Sequence, residues 1–109
     1  MTQETEIRAI ILNVLHSMKV NVSRIVLFGS QARKDAHENS DWDLLIVVNG
    51  VLTKKDRKDI YCKVKRALVS LTIPTDVLIR SESEVKNTSK LPTSITTVAL
   101  KEGIPIYSK

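Results

Sequence analysis

Ile25-Val26-Leu27-Phe28-Gly29-Ser30-Gln31-Ala32-Arg33 is followed, after a polar stretch, by Ser40-Asp41-Trp42-Asp43-Leu44-Leu45-Ile46-Val47-Val48. The first apolar run, Arg24 to Phe28, reads as a short strand that ends in a Gly-Ser turn. The second, Trp42 to Val48, reads as a buried strand opened by two carboxylates and stopped by Asn49-Gly50. Gly29 allows a tight turn and a close approach of backbone N–H groups to an anion. Ser30 stands at the start of a short helix predicted from Gln31 to about Ala36. There its hydroxyl and the helix dipole both favour phosphate. Arg33, one helical turn on, can fork onto phosphate oxygens.

Strand side chains alternate faces, so a strand that includes both aspartates points Asp41 and Asp43 the same way. Their Cα atoms then lie roughly 7 Å apart. Two carboxylates so placed repel each other unless a cation sits between them, and oxygen donors of this kind suit Mg²⁺ or Mn²⁺ rather than zinc. A phosphate cradle beside a metal-binding pair implies nucleotide chemistry. Taken alone, an Asp-x-Asp reads as a solvated turn or a helix cap, and it is the Gly-Ser turn after the preceding strand that points to a site. A third carboxylate, Asp76, opens the apolar run Thr75-Asp76-Val77-Leu78-Ile79, where an acid is unusual unless paired or metal-bound. A strand-end residue at the surface is the competing reading.

Outward from these strands the chain reads as alternating elements. Ile7, Ile10, Ile11, Val14, Leu15 and Met18 form the apolar stripe of a first helix. Thr53 caps a long helix with the stripe Ile60, Val64, Ala67, Leu68 and Leu71. A third strand spans Thr75 to Arg80. Ser81 with Glu84 reads as a capping box for a short helical turn, and Asn87 to Lys90 as a loop. A last helix runs from Ser94 to Glu102 and ends at Gly103, leaving an extended tail, Ile104-Pro105-Ile106-Tyr107. The order α-β-α-β-α-β-α predicts a small α/β (α+β) fold with helices packed on a mixed sheet, in one domain spanning 1–109.

The bulk numbers agree with that size. The 109 residues are 42% hydrophobic and 27% charged, as expected of a globular domain. The single cysteine, Cys62, cannot form an internal disulfide and is read as a small apolar side chain in a helix. It fits a reducing cytosol. The polar, acidic N-terminus does not look like a signal peptide, and no apolar run reaches a membrane span. A cytoplasmic location with no membrane partner is expected.

The net charge of +5 attracts polyanions, and much of it comes from Lys54, Lys55, Arg57, Lys58, Lys63, Lys65 and Arg66. These residues are read as the solvated face of the long helix. Aromatics make up only 4% of the chain, too few for a base-stacking platform, so nucleic acid is not the expected partner. His16 reads as a boundary residue of the first helix. His37 is a loop residue, solvated or touching substrate. Trp42 points away from the two aspartates and packs under a helix.

Gly29-Ser30, then ten residues, then Asp41-x-Asp43 with a later strand aspartate, resembles the minimal nucleotidyltransferases of the DNA polymerase beta superfamily. The likeness covers nearly the whole chain, including Ala99-Leu100-Lys101-Glu102-Gly103 leading to Tyr107. It departs at Lys34, where many relatives have glycine after the arginine. The resemblance implies that Asp41, Asp43 and Asp76 bind two Mg²⁺ ions (or Mn²⁺) and that Asp76 assists the attacking hydroxyl. It implies that Gly29 and Ser30 hold the triphosphate of ATP, with Arg33 contacting phosphate. It further implies a HEPN-domain toxin as partner, for which the small members act as antitoxins, some by moving AMP to a tyrosine. Extra domains that hold the acceptor are common in relatives acting on nucleic acid or antibiotics, so a protein acceptor that brings its own positioning surface is expected. Two other functions fit the residues: an antitoxin that masks its partner without catalysis, and a nucleic-acid-binding module built on the basic helix. The sequence leaves the base preference and a homodimer open.

Overall fold

The computed structural model describes residues 3–29, 31, 41–88 and 95–109. Its elements are α1 (Gln3–Ser17), β1 (Val22–Phe28), β2 (Trp42–Val48), α2 (Lys54–Leu68), β3 (Thr75–Ser81), α3 (Glu82–Thr88), α4 (Ile95–Glu102) and β4 (Ile104–Ser108). The strands form one sheet in the order β3-β2-β1-β4. β1 is antiparallel to both β2 and β4, and β2 is parallel to β3. The predicted mixed sheet is present, with one more strand than expected. The extended tail is β4, which pairs with β1 at the sheet edge.

Alternation along the central strands divides the core into two layers. Ile25 and Leu27 of β1, Leu44, Ile46 and Val48 of β2, and Val77 and Ile79 of β3 face one side. There they meet Ile7, Ile11 and Leu15 of α1 and Ile60, Val64 and Leu68 of α2, all essentially inaccessible to solvent. Burying each such side chain contributes roughly 1.5–3 kcal/mol. Val26 and Phe28 of β1 and Leu45 and Val47 of β2 face the other side, against Val85 of α3 and Ala99 of α4. Both central strands are therefore apolar on both faces, which is why Leu44 to Val48 form an unbroken apolar run.

The helix ends follow local chemistry. The Thr53 hydroxyl accepts from the Asp56 N–H at 3.0 Å, while the Asp56 carboxylate accepts from the Thr53 N–H at 3.3 Å. Such a reciprocal cap contributes about 1 kcal/mol. α2 stops at Leu68, and Val69–Leu71 continue as one 3₁₀ turn closed by Thr72 in the left-handed region. That tightening still turns Leu71 toward the core. Ser81 and Glu84 form the expected box, with the Ser81 N–H donating to Glu84 at 3.0 Å and the Glu84 N–H to the Ser81 hydroxyl at 3.2 Å. The predicted loop is helical at Asn87 and Thr88, while the stretch 89–94, Ser94 included, lies outside the described residues.

The basic face of α2 is not wholly solvated. Arg57 donates to the Ile79 carbonyl at 2.9 Å and pairs with Glu84 at 2.6 Å. Lys65 donates to the Thr75 carbonyl and to the Thr75 hydroxyl. Eight residues of helix and four of strand both span roughly 12–13 Å, so an antiparallel α2 and β3 bring these two pairs into step. β3 is an edge strand, and cations held on its carbonyls discourage pairing with another chain. Cys62 lies on α2 as expected but is exposed.

Candidate active site

The strand directions place the C-terminal end of β1 beside the N-terminal ends of β2 and β3. Asp43 is the register partner of Phe28 on one side and of Asp76 on the other. Partners on neighbouring strands lie about 4.8 Å apart and project to the same face. Leu45, Val47 and Leu78 share the parity of Asp43 and Asp76, and all three pack on the α3–α4 side. Trp42 has the opposite parity and packs against the α1–α2 core, as its position predicts. Two carboxylates thus open adjacent strands side by side, Asp43 half-buried and Asp76 exposed.

Gly29 follows directly on β1 with φ +73°. A Cβ built there would lie 2.1 Å from Oδ2 of Asp43 and 3.1 Å from its Cγ. Position 29 is therefore restricted twice, by a left-handed backbone and by the Asp43 carboxylate packed against it. The sequence motif suggests room for phosphate at this glycine. The structure shows that the space nearest its Cα belongs to the aspartate. Motif spacing alone carries no signal for that contact.

Asp41 is exposed and stands one residue before β2, so the pleat does not fix its direction. Among the described residues, no three His, Cys, Asp or Glu side chains converge closely enough to hold an ion. Ser30 and Arg33, together with Lys34 and His37, lie outside the described residues, and of the predicted helix after the turn only Gln31 is described, in helical conformation. Asp43 and Asp76, in register on one face and with only oxygen atoms to offer, suit a hard divalent cation.

Hydrogen bonds brace this end of the sheet. The Trp42 N–H donates to the Pro74 carbonyl at 3.0 Å, tying the start of β2 to the approach of β3. Lys65 holds Thr75, the residue before Asp76. Leu27 pairs with Ile104 of β4 at the same end. Gly103 comes just before, its N–H donating to the Ala99 carbonyl at 2.8 Å. A Cβ on Gly103 would meet the Ala99 carbonyl and Val26 Cγ1, each at 2.2 Å. Close approach of α4 to β1, not an unusual φ, requires this glycine.

A four-stranded mixed sheet with this order, helices on both faces and an aspartate at the start of β2 beside the turn after β1, is the fold of polymerase-beta-like nucleotidyltransferases. The sequence profile of the family "Polymerase beta, Nucleotidyltransferase" matches residues 10–109, and the chain belongs to that family. A comparison with curated proteins gives no match. Among solved structures, a chain of a toxin–antitoxin complex with AMP-PNP superposes with a TM-score of 0.62 at 17% identity, over 99% of this chain and 75% of that one. A complex of a tri-AMPylated HEPN toxin with its MNT antitoxin, from Shewanella oneidensis, gives a TM-score of 0.55 at 14% identity, over 98% and 74%. A candidate minimal nucleotidyltransferase gives a TM-score of 0.56 at 25% identity, over 95% and 96%.

Proposed function

We propose that this chain transfers a nucleoside monophosphate, AMP from ATP, to a hydroxyl of a protein partner, a tyrosine of a HEPN-type toxin, and thereby acts as its antitoxin. The observation that carries this is the register of Asp43 with Asp76 on adjacent strands, at the sheet end where Gly29 closes β1. Family membership supplies the reaction class. The likeness to chains from complexes with AMP-PNP and with an AMPylated HEPN toxin supports the choice of nucleotide and acceptor.

In this reading Asp41 and Asp43 hold divalent cations together with Asp76, and the turn at Gly29, Ser30 and Arg33 receives the triphosphate. Bound Mg²⁺ supplies positive charge against the phosphate oxygens and the developing charge of the reaction. Asp76, exposed at this end of the sheet, accepts the proton of the incoming hydroxyl. The acceptor oxygen forms its bond to the α-phosphorus as the bond to the β-phosphate breaks, and pyrophosphate leaves. The chain's contribution is position: β2 and β3 fix two carboxylates before substrate arrives.

The test is co-purification with the partner, then incubation with ATP and Mg²⁺ and measurement of the partner's intact mass. Gain of one AMP unit or a small multiple is expected. A stable complex that blocks the toxin with no mass gain would replace transfer by masking. Labelling of an RNA in preference to the partner would replace the protein acceptor.

A further inference from the structure

Lys65 is half-buried on α2, and its ammonium donates to both the main-chain carbonyl and the hydroxyl of Thr75. Thr75 is the first residue of β3, and Asp76 is the second. β3 has a neighbouring strand on one side only, so its first residues lack a second strand to hold them against fraying. The Trp42 to Pro74 hydrogen bond ties this end to β2. Lys65 ties it to α2, which is itself anchored by Ile60, Val64 and Leu68 in the core. Thr75 has the parity of Val77 and Ile79 and faces the α1–α2 side, whereas Asp76 faces the other. Lys65 therefore reaches β3 from the α1–α2 side, across the strand from the Asp76 carboxylate.

We infer that Lys65 is a positioning residue for the transfer reaction: by clamping Thr75 it holds Asp76 in register with Asp43, and so sets how tightly the site takes its divalent cation. The inference rests on the nucleotidyltransferase reading above. A wandering Asp76 would still be a carboxylate, but it would share a cation with Asp43 only part of the time. The effect belongs in metal demand rather than in ATP affinity, because Gly29 and its turn lie across β2 from Lys65.

The experiment compares wild type, Lys65→Met, Lys65→Arg and Asp76→Asn. Three quantities are read: Mn²⁺ affinity by calorimetry with a non-hydrolysable ATP analogue present, the Mg²⁺ concentration giving half-maximal label transfer to the partner, and amide exchange at Asp76 and Val77. Lys65→Met is expected to weaken Mn²⁺ binding about tenfold, raise the Mg²⁺ requirement by a similar factor and speed exchange at both amides, with the affinity for the ATP analogue nearly unchanged. Lys65→Arg, which keeps a cationic donor, is expected to restore most of each effect. Lys65→Met matching wild type in metal binding and exchange, while Asp76→Asn is inactive, overturns the positioning role alone. Asp76→Asn transferring as well as wild type overturns the parent reading and this role with it. Should Lys65→Met fail to fold, Thr75→Val removes one of the two acceptors. A smaller shift in the same direction is then expected, and wild-type metal binding would overturn the inference.

Discussion

Gly29 and Asp43 form one unit, because the carboxylate occupies the space a side chain at position 29 would need. Gly29→Ala therefore carries two costs, a left-handed backbone of about 1–2 kcal/mol and displacement of Asp43. Chemical denaturation is expected to show a loss of roughly 2–4 kcal/mol. Adding Asp43→Ala removes the collision but not the backbone cost, so the double variant should lose clearly less than the sum of the singles. Strict additivity would mean that the two residues do not touch. The sequence shows why a glycine belongs in this turn. It does not show what fills the space, because that atom comes from fourteen residues away across β1 and β2.

At the scale of elements, local chemistry is the part that can be read without coordinates. The Thr53 cap, the Ser81–Glu84 box and the extents of β2 and β3 rest on neighbours a few residues apart. β4 escapes such reading because its strand character comes from pairing with β1, and Pro105 argues locally against it. An edge position, with a register shift where Val26 meets Pro105, accommodates the proline. Arg57 and Lys65 look like any solvated cations until β3 is placed beside α2. β2 runs from Trp42 to Val48 as read, which leaves Asp41 one residue before it.

Gly103→Ala forces a methyl between α4 and β1 and should cost roughly 1–3 kcal/mol, lowering the melting temperature by several degrees. A melt equal to wild type would show that the contact can relax. α3 is held at its start from two sides, by Arg24 on Glu82 and by Arg57 on Glu84. The Ser23 hydroxyl, assisted by Arg24, holds the Glu82 carboxyl below its ordinary value against a smaller effect of burial. Burial pushes Glu84 up, but the hydrogen bonds from Arg57 and the Ser81 N–H, with the Arg57 charge, outweigh it and leave this carboxyl lowered too. Both groups bind protons less readily folded than unfolded. Their stabilisation is intact above about pH 5 and is lost as pH falls through the lowered folded values. Each is about one-third exposed, so solvent and salt limit the gain to roughly 0.2–1 kcal/mol. Glu82→Gln with Glu84→Gln should flatten the acid side of the stability curve and leave the neutral-to-alkaline shape unchanged. An unaltered acid limb would refute the two clamps.

For the molecule as a whole, the sheet separates two tasks. The α1–α2 face carries most of the apolar core, and the opposite face presents Asp43 and Asp76 at one end. The net charge of +5 favours approach of polyanions in general. No described helix is long and apolar enough to cross a membrane. Family and fold are legible from the strand, turn and Asp-x-Asp pattern, since pleat and spacing are properties of the chain itself. The alignment of Asp76 with Asp43 is not legible, because a parallel register is set by the whole sheet.

In the proposed function the carboxylates at this end of the sheet carry nucleotidyl transfer, which is read as label transfer from α-labelled ATP to the co-purified partner in Mg²⁺. Wild type, Asp41→Asn, Asp43→Asn and the double Asn variant are compared after melts confirm that each is folded. Either substitution is expected to lower transfer by about a hundredfold or more, since neutral amides replace charged ligands of nearly the same shape. A double Asn variant that labels its partner at the wild-type rate would contradict it.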